Sequence, residues 1–201
     1  GNTNGKAIQM EVQVQAFAYQ TTDELNDMTF QRYRLINRAT ERIDSTFFAM
    51  WTDPDLGCAL DDYIGCDTSK DLMYVYNQDQ VDGQPGATCD GTPTYGAKVP
   101  ILGVDYFRGP LDSAGNELPM SSFVYYNNTG IGNPLAATTD PTAPQEFYNY
   151  LTGSWKDGRP FTYGGSGYGG TDPIKYAFTE TPGDPNGWSM CTANLPFGDR
   201  R

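Results

Sequence analysis

Residues 8–16 read IQMEVQVQA, and apolar and polar side chains alternate along this whole stretch. The apolar positions are Ile8, Met10, Val12, Val14 and Ala16. Successive side chains of a β-strand point to opposite faces of the sheet, so a period of two predicts a strand. We expect its apolar face to pack against a core and its glutamine-rich face to lie in water.

Aromatic and β-branched residues mark further short strands along the chain. MTFQRYRLIN (28–37) and STFFAMWT (45–52) are separated only by the polar segment RATERID, so we expect them to form an antiparallel pair. Clusters of Gly, Pro and Asp separate the later segments, which are LMYVYN (72–77), ILGVDYF (101–107) and SSFVYYN (121–127). Such spacing predicts an all-β fold, an antiparallel β-sandwich with long Gly- and Asp-rich loops, as a single domain over residues 1–201.

One segment departs from the strand pattern. In TAPQEFYNYLTG (142–153), apolar residues recur at the spacing of a helix face, at Phe147, Tyr150 and Leu151. Thr142 is suited to cap the start of a helix and Gly153 to end it. The pattern therefore predicts one short helix near 143–152.

The Gly-rich stretch that follows satisfies the G-x-G-x-x-G spacing through Gly165, Gly167 and Gly170. A dinucleotide site would need a helix to begin directly after these glycines, and Pro173 follows instead. We interpret the match as a coincidence within a glycine-aromatic loop.

Charge narrows the set of partners. The chain has 13 basic and 25 acidic residues, a formal net charge of −12, and a pI near 4.2. This sign argues against binding to nucleic acid or to anionic lipid, and it favours cations as small partners. No run of about eighteen apolar residues is present, so membrane insertion is not expected.

Catalytic signals are weak in this sequence. The chain contains no histidine, which excludes a His-dependent triad, and Ser166 lacks the spacing of a nucleophile elbow. We therefore favour a non-enzymatic module. A carbohydrate-binding module is the first alternative, because aromatic rings suited to stacking on sugars occur at Tyr148, Tyr150, Trp155, Tyr163, Tyr168 and Trp188. A glycan-active hydrolase domain is the second, since glycosidase chemistry needs only two carboxylates.

The segment WTDPDLGCALDDYIGCD (51–67) contains five aspartates, whose mutual repulsion requires compensation. Asp53 and Asp55 resemble the start of a calcium loop, although the EF-hand template fails at later positions such as Ile64. A different cage for calcium is predicted, with ligands drawn from Asp53, Asp55, Asp61, Asp62, Asp67 and Asp105. The alternative is a solvated turn whose aspartates cap backbone N–H groups.

The four cysteines are Cys58, Cys66, Cys89 and Cys191. They contain no C-x-x-C pair, and the absence of histidine further argues against structural zinc. Two disulfides are favoured over four buried thiols, with all three connectivities open; a bridge between Cys58 and Cys66 would brace the acidic loop. Together with the abundance of Gly and Tyr, this favours an extracellular protein.

Several long segments resemble a family of secreted and surface proteins of Bacteroidota that often end in a type IX secretion sorting domain. They are FQRYRLINR, DSTFFAMWTDPDLGCALDDYIGCD, LMYVYNQDQVD, ILGVDYFRGPL, MSSFVYYNN, EFYNYLTGSWKDGRPFTYGGSGYGG, GDPNGWSMC and PFGDRR. The resemblance implies a β-rich module at the cell surface or in the extracellular matrix, with other surface or matrix proteins or glycans as partners, and no established enzymatic activity. The sorting domain is absent, so we expect a fragment of a larger secreted protein, ending at an exposed dibasic pair, Arg200–Arg201.

Two short motifs resemble the O-glycosylation pattern of this bacterial group, which is Asp, then Ser or Thr, then an apolar residue. They are DST (44–46) and DSA (112–114), which make Ser45 and Ser113 the candidate acceptors. Ser113 is favoured because it lies in the loop-like sequence DSAGNE.

Overall fold

A computed structural model describes residues 5–83, 89 and 93–201. Its regular structure is mainly antiparallel strands with one α-helix, which confirms a predominantly β fold; the sandwich arrangement remains a prediction. The elements are β1 (Met10–Ala18), β2 (Thr29–Asn37), β3 (Asp62–Asp67), β4 (Leu72–Asn77), β5 (Leu102–Asp105), helix α1 (Pro144–Leu151), β6 (Phe161–Thr162) and β7 (Pro173–Ile174). Within the described residues, no helix is long and apolar enough to cross a membrane.

The described residues up to Phe47 form one compact unit, which is built on a β-hairpin. Strands β1 and β2 pair antiparallel, with Met10 opposite Asn37. The strand predicted from the alternating pattern is therefore confirmed, but the predicted pairing of 28–37 with 45–52 is wrong, because 45–52 forms no strand. The predicted core face of β1 is also wrong, because among the described residues Val12 and Val14 on that face are 52% and 57% exposed.

Phe48–Arg201 forms the second unit, which contains the order β3-β4-β5 in an antiparallel sheet. Strand β3 covers DYIGCD, which lies in the segment 51–67 where a calcium-binding loop or a solvated turn was predicted. The prediction of a loop at 62–67 is wrong because this segment is held in place by residues far along the chain. The free edge of β3 is covered from the distant end of the chain, where the carbonyl of Phe178 accepts the Cys66 N–H at 3.2 Å.

The predicted strand at 121–127 forms only isolated bridges in the structure. Phe123 bridges to Tyr176, and Asn127 bridges to Thr139 and Arg200. The extended conformation was correctly anticipated there, but the segment does not join a sheet. By contrast, 72–77 is confirmed as a strand, and 101–107 is confirmed over its centre as β5.

The predicted helix is confirmed as α1, although its start differs from the expectation. Ala143, and not Thr142, is the N-cap residue. Alanine has no side-chain oxygen to cap the helix. The carboxylate of Glu146 instead accepts the backbone N–H groups of Thr142 at 2.6 Å and Ala143 at 3.1 Å. Gly153 follows the last turn with φ +73°, the left-handed conformation that ends helices.

Aromatic residues dominate the core of the second unit. The fully buried rings of Trp155 and Phe161 stack with centroids 3.9 Å apart. The glycine-aromatic loop lies over this core, and three successive carbonyls accept hydrogen bonds from buried rings. The pairs are Trp188 Nε1 to Gly165 at 3.0 Å, Tyr125 Oη to Ser166 at 3.0 Å, and Trp155 Nε1 to Gly167 at 2.8 Å.

The pair Arg200–Arg201 is packed into the second unit, so the predicted exposed dibasic loop is wrong. Arg200 is 6% exposed, and its guanidinium lies 5.7 Å from the centroid of the Tyr63 ring. Arg201 pairs with Asp140 at 3.1 Å and with Asp199 at 3.5 Å. These contacts place residues near 200 beside the beginning of β3.

Candidate metal centre

The disulfide of this protein joins Cys58 to Cys89, with Cα atoms 5.5 Å apart. Within the described residues, which include all four cysteines, Cys66 and Cys191 are unpaired, so the predicted second bridge is wrong. The suggested bridge between Cys58 and Cys66 is wrong as well, because Cys66 lies on β3 and its thiol donates to the carbonyl of Ala177 at 3.4 Å. Burial raises the pKa of this thiol to about 12, so it is unreactive at neutral pH.

Three aspartates, Asp61, Asp62 and Asp82, are buried and are called here the buried acidic cluster; carboxylate oxygens of Asp61 and Asp82 lie beside the disulfide sulfur of Cys58. Their exposed fractions are 1%, 5% and 1%. Asp61 ends a short 3₁₀ turn, Ala59–Asp61, and Asp62 begins β3. Strand β4 then brings the chain back, because its last residue Asn77 lies opposite Asp62 and Asp82 follows soon after.

Backbone N–H groups hold each carboxylate of the buried acidic cluster. Asp62 accepts from Leu56 at 2.8 Å, and Asp61 accepts from Gly83 at 2.7 Å. Asp82 accepts from Cys58 at 2.9 Å through one oxygen and from Tyr95 through the other. Such bonds are charge-assisted, and therefore stronger, when the carboxylate is ionised.

Gly57 makes room for Asp82. A Cβ at this position would lie 2.0 Å from Asp82 Oδ2, and the backbone has φ +74°. Both observations require glycine. The close approach of this carboxylate to the backbone is therefore specified by the sequence D-L-G-C.

Two oxygens of the cluster remain uncompensated. Asp61 Oδ1 and Asp62 Oδ1 are buried and have no hydrogen-bond partner among the residues that the structure describes. A buried carboxylate oxygen without a partner is costly, and most such groups have one. The nearest buried cation, Arg200, donates to the backbone carbonyl of Asp62 at 3.4 Å and forms no ion pair with its carboxylate in the described part of the chain.

The pKa values of Asp61 and Asp62 are both raised by their buried, acidic surroundings. Burial is the main cause that raises the pKa of Asp62 to about 7, and repulsion from Asp61 and Asp82 adds to it. Burial also raises the pKa of Asp61, again with a contribution from Asp82. The cluster therefore resists full ionisation unless a cation neutralises it.

Three side chains form a candidate metal-binding group. One oxygen of Asp61, one oxygen of Asp82 and the sulfur of Cys58 lie within 4.8 Å of one another. Two oxygens that share a calcium ion at 2.3–2.6 Å lie at most about 5 Å apart, which this spacing satisfies. The sulfur belongs to a disulfide and has no thiolate charge, so the carboxylates would hold the metal.

The other four predicted ligands lie elsewhere. Asp53 pairs with Arg201 at 3.2 Å, and Asp67 accepts from Ser69 and pairs with Lys70 at 3.1 Å. Asp55 is exposed, and Asp105 is exposed on β5. Of the six, the structure brings only Asp61 and Asp62 into the buried acidic cluster.

Sequence reasoning missed Asp82. This residue lies in NQDQVDG, outside the acidic segment 51–67, and nothing in local spacing links the two. The available signal was the antiparallel return of LMYVYN along β3, which was hidden because β3 itself was assigned to a loop.

The six aromatic residues considered for sugar binding differ in exposure. Tyr168 is half-buried, and its hydroxyl donates to Asp157 at 2.8 Å. Trp155, Trp188 and Tyr150 are buried, at 0%, 5% and 7% exposure, so their faces are unavailable to a glycan. Tyr148 and Tyr163 are exposed, at 42% and 47%. Both candidate glycosylation residues, Ser45 and Ser113, are exposed, and their modification remains a prediction.

Comparisons with family models, with curated proteins and with solved structures give no match to this chain. The metal centre is therefore argued from its own geometry.

Proposed function

We propose that this chain is a non-enzymatic module of an extracellular surface or matrix protein, stabilised by a calcium ion in the buried acidic cluster. The observation that carries the calcium proposal is the approach of one Asp61 oxygen and one Asp82 oxygen to within 4.8 Å of each other, together with the buried, unpartnered Asp61 Oδ1. An ion shared by Asp61 and Asp82 would supply a partner for the Asp61 carboxylate and offset the repulsion between these two side chains.

The burial of the cluster supports a structural role over a catalytic one. A glycosidase needs its two carboxylates to reach a glycosidic bond, yet Asp61 and Asp82 are each only 1% exposed. An ion at this depth would brace the chain between β3, β4 and the segment near Tyr95, and would not meet a polymeric substrate.

The disulfide supports an oxidising compartment, because such bridges persist mainly outside the cytosol. Membership of the Bacteroidota surface-protein family remains our proposal from the resemblance of the segments. Adhesion or matrix assembly follows from this proposal, with other matrix chains or glycans as partners of the acidic surface.

Thermal unfolding with calcium and with excess chelator tests the metal. At 100 times its dissociation constant, calcium should stabilise the protein by about 2.7 kcal/mol, which corresponds to about 5–10 °C in a chain of this size. Asp61→Asn retains an acceptor for the Gly83 N–H and removes one charge. This variant should lose the calcium response and melt above the wild type in chelator, because the repulsion with Asp82 is gone.

Asp105→Asn is the matched control, since it removes an exposed carboxylate outside the cluster. It should respond to calcium as the wild type does. A wild type that melts at one temperature in both conditions would refute the proposal, and so would a full calcium response in Asp61→Asn.

A further inference from the structure

We propose that the Cys58–Cys89 disulfide controls the affinity of the buried acidic cluster for its cation, so that the redox state of the bridge and occupancy of the site are coupled. This inference rests on the calcium site proposed above and adds its regulation.

All three aspartates of the buried acidic cluster lie, along the chain, between the two cysteines of the disulfide. The bridge joins residues separated by 31 positions, and Asp61, Asp62 and Asp82 all lie between them. Asp61 and Asp62 come just after Cys58, whereas Asp82 comes near the Cys89 end. The bridge therefore holds together the two chain segments that supply carboxylates.

Each carboxylate is also positioned by the opposite segment. Asp82 Oδ1 accepts the N–H of Cys58 at 2.9 Å, and Asp61 Oδ2 accepts the N–H of Gly83 at 2.7 Å. Neither side chain can take its place unless both segments are in register. Because the disulfide fixes the register of the two segments, it also fixes the spacing of the metal ligands.

Repulsion among the carboxylates acts against this arrangement. Without a cation, the charges of Asp61 and Asp82 favour separation of the two segments. The bridge, with Cα atoms 5.5 Å apart, opposes that separation. In the reduced chain, the cation must bring the two segments together by its own binding. The entropy lost in closing this loop lowers the affinity for the cation.

Coupling of this kind is reciprocal. If calcium binds the oxidised chain more tightly than the reduced chain, it must shift the disulfide equilibrium toward the oxidised form by the same factor. A tenfold difference in affinity corresponds to about 30 mV for this two-electron couple.

The redox step is an ordinary exchange with an external dithiol. Cys58 is fully buried and Cys89 is half-buried, so the reductant thiolate attacks the sulfur of Cys89. The S–S bond breaks, and Cys58 leaves as a thiolate that takes up a proton. The second thiol of the reductant then displaces Cys89, which yields two protein thiols and one cyclic disulfide.

The test measures calcium affinity by calorimetry on the oxidised and reduced protein, and the redox equilibrium in dithiothreitol buffers with and without calcium. We expect at least tenfold weaker binding after reduction and an equal shift of the redox midpoint. Cys191→Ser serves as the background, because it removes the exposed thiol that could exchange between molecules. Should the reduced chain unfold, the redox equilibrium alone still reports the coupling.

The outcomes separate the two proposals. Equal affinities in both redox states, or a midpoint that calcium does not move while it binds the oxidised chain, would overturn the coupling and leave the calcium site standing. Failure of the oxidised chain to bind calcium would overturn the calcium site and the coupling together.

Discussion

Among single residues, Asp62 connects local structure to the stability of the protein most directly. Asp62 is the first residue of β3. It is 5% exposed, and its carboxylate accepts the backbone N–H of Leu56. Burial and the neighbouring carboxylates raise its pKa from the ordinary 3.8 to about 7. Ionisation of Asp62 near neutral pH therefore works against folding unless a cation is present.

This shift predicts a pH dependence in chelator. The folded pKa lies above the unfolded value, so the folded state binds the extra proton between about pH 4 and pH 7. The free energy of unfolding should fall as pH rises through this window and level off above it, by roughly 4 kcal/mol at most. Saturating calcium should remove most of the fall, because it binds the ionised cluster.

Denaturant unfolding at several pH values checks this dependence. Asp62→Asn keeps the acceptor for Leu56 and should flatten the profile, with a smaller residual slope from Asp61, whose pKa is also raised. Superimposable profiles for the wild type and Asp62→Asn would contradict the assignment.

Residue by residue, the acidic segment was informative only in part. The crowding of aspartates correctly indicated charge that needs compensation, and Asp61 and Asp62 are indeed buried together. Asp53 carried the best calcium-loop spacing, yet it pairs with Arg201, far along the chain. Local spacing cannot show which carboxylates a later segment neutralises.

Among structural elements, the glycine-aromatic loop owes its composition to the hydrogen bonds that its carbonyls accept from buried aromatic residues. Its glycines at 164, 165 and 167 have positive φ, which lets consecutive carbonyls of residues 165–167 turn toward the core. Those carbonyls satisfy the polar atoms of Trp188, Tyr125 and Trp155. Buried aromatic residues of this kind require a partner for their polar atom, and the loop supplies it.

Tyr125→Phe tests this role, because it removes only the hydroxyl that donates to Ser166 at 3.0 Å. The buried carbonyl would lose its partner, and we expect a cost of about 1–2 kcal/mol in the free energy of unfolding. Tyr95→Phe is the matched control, since its ring is 53% exposed. Equal stabilities for the two variants in denaturant would show that the loop carbonyls are satisfied in another way.

The elements that sequence predicted best are those with local signals. Helix α1 and strand β1 follow from their own periodicity, and Gly153 correctly marked the end of the helix. Strand β3 was missed because its burial depends on partners more than a hundred residues away, such as Met190, whose sulfur accepts the Ile64 N–H at 3.1 Å. Such partners leave no trace in a local pattern.

At the scale of the whole molecule, the two units differ in the source of their stability. The hairpin of β1 and β2 contributes no residue to the buried hydrophobic core, whereas β3 and β4 supply Tyr63, Ile64 and Val75. Two-stranded hairpins are only marginally stable when they bury little apolar surface. We therefore expect the two units to open independently.

Amide hydrogen exchange read by mass spectrometry tests this difference. Peptides from Met10–Ala18 and Thr29–Asn37 should exchange well before peptides from Asp62–Asp67 and Leu72–Asn77, because exchange follows the local free energy of opening. Protection of the hairpin equal to that of β3 and β4 would show that a further layer covers its apolar face.

The distant partners of β3 have a consequence for the order in which the chain can fold during synthesis. The β1–β2 hairpin can form once Asn37 has left the ribosome, because all its pairings are local. Strand β3 must wait for Phe178, Met190 and Leu195, the last of which accepts the Tyr63 hydroxyl at 2.7 Å. A nascent chain therefore carries an open second unit until the residues up to Leu195 have left the ribosome, so that this unit folds long after the hairpin.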